Sequence, residues 1–117
     1  MTTSPPLGSV DSLSAALAAL AQTIDTRIDA DPATSYTAKL LQSGTLKCGK
    51  KIAEEGAELA LALAAEGQAE SANEAADLLY HVLVGLRAKA VSLDAVAAAL
   101  AARQGLSGLE EKAQRAD

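Results

Sequence analysis

Glu54, Glu55 and Glu58 stand inside a long helical pattern that runs over roughly residues 45 to 66. At about 100° per residue the three carboxylates fall on one arc of that helix. Like charges three and four positions apart destabilise a helix. Beyond Glu58 the chain reads Leu-Ala-Leu-Ala-Leu-Ala-Ala, so the acidic arc runs straight into apolar surface. Acids in that setting call for a compensating cation. A second acidic pair, Glu74 and Asp77, follows on the next helical pattern, with His81 on the same arc. If the two arcs face each other, four or five carboxylates meet in one pocket. An all-oxygen donor set suits Mg²⁺ or Mn²⁺ rather than zinc.

Lys47, Lys50 and Lys51 occupy the first turns of the same helix, where positive charge opposes the helix dipole. A phosphate reverses that penalty, because the helix start offers free N–H groups and the lysines add charge. One helix thus carries lysines for an anion and, a turn later, acids for a metal. Tyr36, Thr37 and Lys39 can supply hydroxyls and charge to the same anion.

Plainer readings stand beside these. The glutamates can form a solvated face, with Lys50 and Lys51 as ion-pair partners, although Lys preceding Glu is the weaker order. Ser71-x-x-Glu74 fits a capping box. Asp77 is harder to account for, since an acid in an apolar run is costly without a partner. Tyr36 can pack under a loop, and His81 can be a satisfied core histidine. Cys48 reads as a small buried residue, and Gly56 as a point of close helix approach.

The elements that position these residues are helical. Half of the 117 residues are hydrophobic, chiefly Ala, Leu and Val, with Tyr36 and Tyr80 the only aromatics. That composition favours packed helices over a β-sandwich. Residues 1–9, with Pro5, Pro6 and Gly8, read as a flexible leader. Ser9 or Asp11 can cap a first helix whose apolar positions are Leu13, Leu17, Leu20, Ile24 and Ile28, ended by Asp31-Pro32. Ser35 to Leu41 reads as a short helical turn or loop. Gly44 breaks the pattern, Ser43 or Thr45 can start the long helix, and Gly67 marks its end. A third long helix spans about 69 to 90 and is apolar nearly all round, which makes it central. Ser92 caps a last helix with Leu93, Val96 and Leu100 on one side, closed by Gly105. The expectation is one all-α domain over 10–105, a bundle of four main helices, followed by a mobile tail over 106–117. A third helix without a polar face predicts a homodimer that completes a larger bundle.

The net charge of −5 and the scarcity of aromatics argue against a nucleic-acid surface. A single cysteine forms no internal disulfide. No basic n-region opens the chain and no apolar run has the length of a membrane span, so the sequence predicts a cytoplasmic protein with no membrane contact.

The pattern Glu54-Glu55-x-x-Glu58 followed by Glu74-x-x-Asp77 is similar to the metal-binding signature of the MazG-type all-α nucleoside triphosphate pyrophosphohydrolases. Ser35-Tyr36-Thr37-Ala38-Lys39-Leu40, Lys47-Cys48-Gly49-Lys50-Lys51-Ile52, Glu74-Ala75-Ala76-Asp77-Leu78-Leu79-Tyr80-His81 and Ser92-Leu93-Asp94-x-Val96 resemble one branch, the phosphoribosyl-ATP pyrophosphohydrolases of histidine biosynthesis. The tail from Ser107 to Ala113 looks like tails in that branch. The likeness covers about residues 34 to 115. It implies an all-α homodimer that uses Mg²⁺ to cleave phosphoribosyl-ATP into phosphoribosyl-AMP and pyrophosphate. It also implies a free-standing enzyme, since the chain lacks a Cys and His cluster for a fused cyclohydrolase. Glu55, Glu58 and Asp77 are then the first metal ligands, with Glu74 close behind. Glu54 accepts the proton of the attacking water, Lys50 and Lys51 hold phosphates, and Tyr36, Thr37 and Lys39 bind the phosphoribosyl end or a phosphate. The competing readings are a pyrophosphohydrolase of another nucleoside triphosphate and a non-catalytic helical dimerisation module.

Overall fold

The computed structural model describes residues 5–104 together with Lys112 and Arg115, and over 5–104 it has five α-helices: α1 (Asp11–Thr26), α2 (Tyr36–Ser43), α3 (Thr45–Ala65), α4 (Gln68–Ala88) and α5 (Leu93–Ala102). The all-α expectation holds, and among the described residues there is no strand. None of the helices found is long and apolar enough to cross a membrane. The tail expected over 106–117 lies outside the described residues, apart from Lys112 and Arg115, as does Gly105.

α1 starts without a side-chain cap on its Val10 N-cap, but Ser9 Oγ accepts the Asp11 N–H at 3.1 Å. It stops at Thr26, earlier than Asp31-Pro32. The Thr26 hydroxyl donates to the Thr23 carbonyl at 2.6 Å, and the backbone continues in turns through Ala30. Hydroxyls of this kind compete with the helical ladder near a terminus. Leu17, Leu20 and Ile24 face the core, whereas Leu13 is exposed.

The segment after Ser35 is a full helix rather than a loose turn. Ser35 is extended, and its Oγ accepts the Ala38 N–H at 3.1 Å, so a hydroxyl satisfies one of the orphan donors of the first turn. Gly44 then serves as both the C-cap of α2 and the N-cap of α3, at φ +95°. Side chains strongly disfavour that conformation. One glycine therefore lets two helices meet without a linker, and it brings α2 beside the start of α3. α3 starts at Thr45, one of the two starts expected, behind a Gly44 N-cap that makes no side-chain bond.

α4 is central, as its pattern predicts. Ile24, Leu40, Cys48, Leu83 and Val84 form one buried cluster drawn from α1, α2, α3 and α4. Close approach of α3 and α4 occurs at Gly85, where an added Cβ would lie 2.9 Å from Ile52 Cδ1 and 3.7 Å from Cys48 Cβ. Gly56, the position expected for that approach, has nothing within 4 Å of an added Cβ. Cys48 is buried as expected, its thiol donating to the Leu40 carbonyl at 3.3 Å, and burial raises its pKa.

The apolar surface left uncovered lies elsewhere than α4. Leu61 and Leu63 on α3 are each 68% exposed, and Leu46, Leu93 and Leu100 are exposed as well. α5 buries none of its residues, although Ser92 caps it by accepting the Ala95 N–H at 3.1 Å.

Candidate active site

The α3–α4 hairpin sets the geometry. A turn at Glu66 and Gly67 sends α4 back along α3. Counted outward from that turn, Glu58 stands nearly level with Glu74, and Glu55 with Asp77. Carboxylate oxygens of Glu55, Glu58 and Glu74 lie within 4.8 Å of one another. The Glu55 side chain is only 12% exposed, and Glu74 Oε2 is buried with no hydrogen-bond partner. The capping-box role for Glu74 falls away. α4 begins at Gln68 behind Gly67, and Ser71 Oγ donates to the Gly67 carbonyl at 2.9 Å from within the helix.

Electrostatics in this cluster run against ionisation. Burial raises the pKa of Glu74, and the nearby carboxylates of Glu58, Asp77 and Glu55 raise it further. Desolvation and like charge act in the same direction on an acid. Asp77 thus contributes its field, but it is exposed and stands outside the set of three convergent oxygens.

Glu54 points to a different partner. Lys51 Nζ donates to Glu54 Oε2 at 3.0 Å and lies 3.8 Å from Glu55 Oε1. The bond to Lys51 holds the Glu54 pKa below the ordinary range, and the same bond raises that of Lys51. Tyr36 stands close enough to Lys51 for its phenolate, once ionised, to favour the ammonium further. Lys39, Lys47 and Lys50 are exposed, and Lys50 adds its charge at Glu54.

Between α2 and α4 lies an arrangement that sequence reasoning left unassigned. Thr37 Oγ1 and the Tyr80 hydroxyl are 2.6 Å apart. The Tyr36 hydroxyl is 3.5 Å from His81 Nε2, at the long limit of a hydrogen bond, and His81 Nδ1 donates to the Asp77 carbonyl at 2.8 Å. The His81 ring is edge-on to Tyr80, with centroids 4.9 Å apart, and edge-on to Tyr36 at 6.2 Å. His81 is 8% exposed, whereas Tyr36 is half exposed. The placement of these residues within α2 and α4 was legible; their pairing across the chain depends on how the helices pack.

The profile of the family described as phosphoribosyl-ATP pyrophosphohydrolase matches residues 17–104, which include α2, α3, α4 and α5. The chain belongs to the phosphoribosyl-ATP pyrophosphohydrolase family. Among its relatives, the phosphoribosyl-ATP pyrophosphatase of Caulobacter sp. (strain K31) is 56% identical over 96 residues, 82% of this chain and 89% of that protein. The phosphoribosyl-ATP pyrophosphatase of Ruegeria sp. (strain TM1040) is 52% identical over 82% of this chain and 91% of its own length. That of Methylobacterium radiotolerans is 50% identical over 85% of this chain and 92% of its own.

In this phosphoribosyl-ATP pyrophosphohydrolase family member the carboxylate cluster fits a hard divalent cation. Its donors are all oxygen, they converge from two helices, and a buried carboxylate oxygen without a partner is costly unless something neutralises it. A separate cavity of about 250 Å³ opens between α1, α4 and the start of α5, with Ile24, Leu83, Leu86 and Leu93 on its walls and Asp25 and Arg87 at its edge. None of the three clustered carboxylates lines it.

Proposed function

We propose that this chain hydrolyses phosphoribosyl-ATP to phosphoribosyl-AMP and pyrophosphate in the second step of histidine biosynthesis, as a cytoplasmic, Mg²⁺-dependent homodimer in which Mn²⁺ can replace Mg²⁺. The observation that carries the reading is the convergence of Glu55, Glu58 and Glu74, with the orphaned Glu74 oxygen, in a member of this family.

Glu55, Glu58 and Glu74 would hold the cation, with Asp77 at its margin. When bound, the cation supplies charge neutralisation for the triphosphate and Lewis acidity toward the attacking water. Lys47, Lys50 and Lys51, at the start of α3, bind phosphates and stabilise the charge that gathers on the leaving pyrophosphate. Glu54 is held as a weak base while Lys51 is bound to it. Phosphate oxygens that draw Lys51 away raise the proton affinity of Glu54, which then accepts the proton of the attacking water. Tyr36, Thr37 and Lys39, carried on α2 by the Gly44 junction, bind the phosphoribosyl end.

The exposed leucines of α3 and α5 support a homodimer, since large apolar side chains left in water gain from a partner that covers them. The test of the activity is pyrophosphate release from phosphoribosyl-ATP, with and without Mg²⁺, beside ATP, dUTP and dCTP. Fast metal-dependent release from phosphoribosyl-ATP alone is expected. Preference for a free nucleotide would overturn the substrate, and silence on every substrate would overturn the catalytic reading.

A further inference from the structure

We infer that His81 is a positioning residue that fixes the hydrogen-bond polarity of Tyr36, so that the Tyr36 oxygen accepts from a donor group of the substrate and does not bind phosphate. The inference rests on the substrate reading above and deepens it.

His81 is the buried end of the chain of bonds. His81 Nδ1 lies 2.8 Å from the Asp77 carbonyl, which has lone pairs and no proton. A carbonyl can only accept, so Nδ1 must carry the hydrogen. In the neutral imidazole Nε2 is then the bare nitrogen, and it can only accept. Its neighbour is the Tyr36 hydroxyl at 3.5 Å, held by edge-on contact between the two rings. The single hydroxyl proton of Tyr36 is therefore directed inward, to Nε2. What Tyr36 turns toward solvent is the oxygen's lone pairs.

Phosphate oxygens also have lone pairs and, when ionised, no proton. Two acceptors facing each other repel. The half-exposed Tyr36 oxygen thus suits a ribose hydroxyl or a base amino group. Charged donors remain nearby for phosphate: Lys51, beside Tyr36, and the exposed Lys39, Lys47 and Lys50. Thr37 differs from Tyr36 in this respect, because its hydroxyl is 2.6 Å from that of Tyr80 and either atom can be the donor.

The test uses the full-length protein and calorimetric dissociation constants for four ligands in the presence of Mg²⁺: phosphoribosyl-AMP, ribose 5-phosphate, inorganic phosphate and pyrophosphate. The variants are Tyr36→Phe, His81→Asn, His81→Gln and the double variant Tyr36→Phe/His81→Asn. Tyr36→Phe keeps the ring of an exposed residue, so it preserves the fold. Asn at 81 can still reach the Asp77 carbonyl but not Tyr36, whereas a Gln carbonyl oxygen can take the place of Nε2. Circular dichroism of each variant reports that the helices are intact.

Tyr36→Phe and His81→Asn are each expected to weaken phosphoribosyl-AMP by about threefold to tenfold, the size of one net hydrogen bond. The double variant is expected to lose no more than Tyr36→Phe, and His81→Gln to recover most of the loss. Pyrophosphate affinity is expected to stay within twofold of wild type throughout, a split that a general loss of structure would not produce. Parallel weakening of ribose 5-phosphate, with inorganic phosphate measured beside it unchanged, identifies the donor as a hydroxyl; weakening of both would overturn the inference, and unchanged ribose 5-phosphate identifies the donor as the base. Weaker pyrophosphate in Tyr36→Phe would overturn the inference by making Tyr36 a phosphate donor. Unchanged phosphoribosyl-AMP affinity in folded His81→Asn would overturn the role of His81. Wild-type protein that turns over a free nucleotide but not phosphoribosyl-ATP would remove the substrate reading, and this inference with it.

Discussion

Glu58 on α3 and Glu74 on α4 bring carboxylate oxygens within 4.8 Å of each other, with Glu55 completing the group. Burial and that proximity raise the Glu74 pKa above the ordinary carboxylate value. The folded state therefore holds a proton on Glu74 more tightly than the unfolded chain does. Between the ordinary glutamate pKa and the raised folded one, the native state binds more protons, so stability falls as pH rises through that window. Above the folded pKa the full penalty of the ionised group remains. Metal-free Glu74→Gln is thus expected to be more stable than wild type at neutral pH. The difference should shrink as pH falls toward the ordinary glutamate pKa. Paired thermal melts in chelator across that range test this; a gap independent of pH would show that Glu74 carries no such strain.

A cation in the cluster removes the same penalty, which ranks the ligands. Mg²⁺ is expected to raise the wild-type melting temperature, and Glu58→Gln and Glu74→Gln to abolish most of that rise. Asp77→Asn, outside the convergent set, should retain more of it. Loss of a direct ligand should lower turnover by at least about a hundredfold, beyond the range typical of outer-shell partners. Full Mg²⁺ response in Glu74→Gln, with loss in Asp77→Asn, would reverse the assignment.

Much of this site can be read from residue order. The arc of Glu54, Glu55 and Glu58, the span of α3, the cap at Ser92 and the central place of α4 follow from helical periodicity and turn residues, which act locally. Glu74 is ambiguous from sequence because Ser71-x-x-Glu74 satisfies a local capping rule. Only the observed start of α4 at Gln68 removes that reading. Tyr36 with His81, Thr37 with Tyr80 and Ile52 with Gly85 are pairings between helices. No local periodicity encodes them, since each depends on the crossing of two packed elements. The separate role of Glu54 beside Glu55 and Glu58 is expected from the family likeness, but not that Lys51 holds it, because that depends on which carboxylate the lysine reaches.

The Lys51–Glu54 bond leads to a kinetic expectation. Glu54→Gln removes the proton acceptor and should lower kcat by about a hundredfold to ten-thousandfold, the usual worth of general base catalysis. Thermal stability should change little, because exposed ion pairs contribute little. Lys51→Met should instead raise KM for phosphoribosyl-ATP strongly, through loss of a phosphate contact. A kcat in Glu54→Gln within tenfold of wild type would move the base elsewhere in the site.

Thr37 and Tyr80 tie α2 to α4 through a bond of 2.6 Å between partly buried hydroxyls. Thr37→Val and Tyr80→Phe are each expected to cost about 1 kcal/mol, and the double variant little more than either alone. Urea titrations of the four proteins give the coupling energy. Strict additivity of the two losses would mean that the hydroxyls do not act as a pair.

Leu61 and Leu63 lie on the second half of α3, past the acidic arc, and each is 68% exposed in the single chain. Leaving two leucines in water forgoes burial worth about 1.5–3 kcal/mol for each side chain. The two side chains stand about 200° apart round the helix, so a second copy of the chain that wraps this end of α3 and covers them would recover it. Leu61→Glu/Leu63→Glu is therefore expected to dissociate the dimer and leave each chain helical. Sedimentation velocity at several protein concentrations reads the result. A dimer that survives both substitutions would shift the interface to other exposed leucines, those of α5 first. A wild-type chain that sediments as a monomer at every concentration would remove the dimer from the proposal.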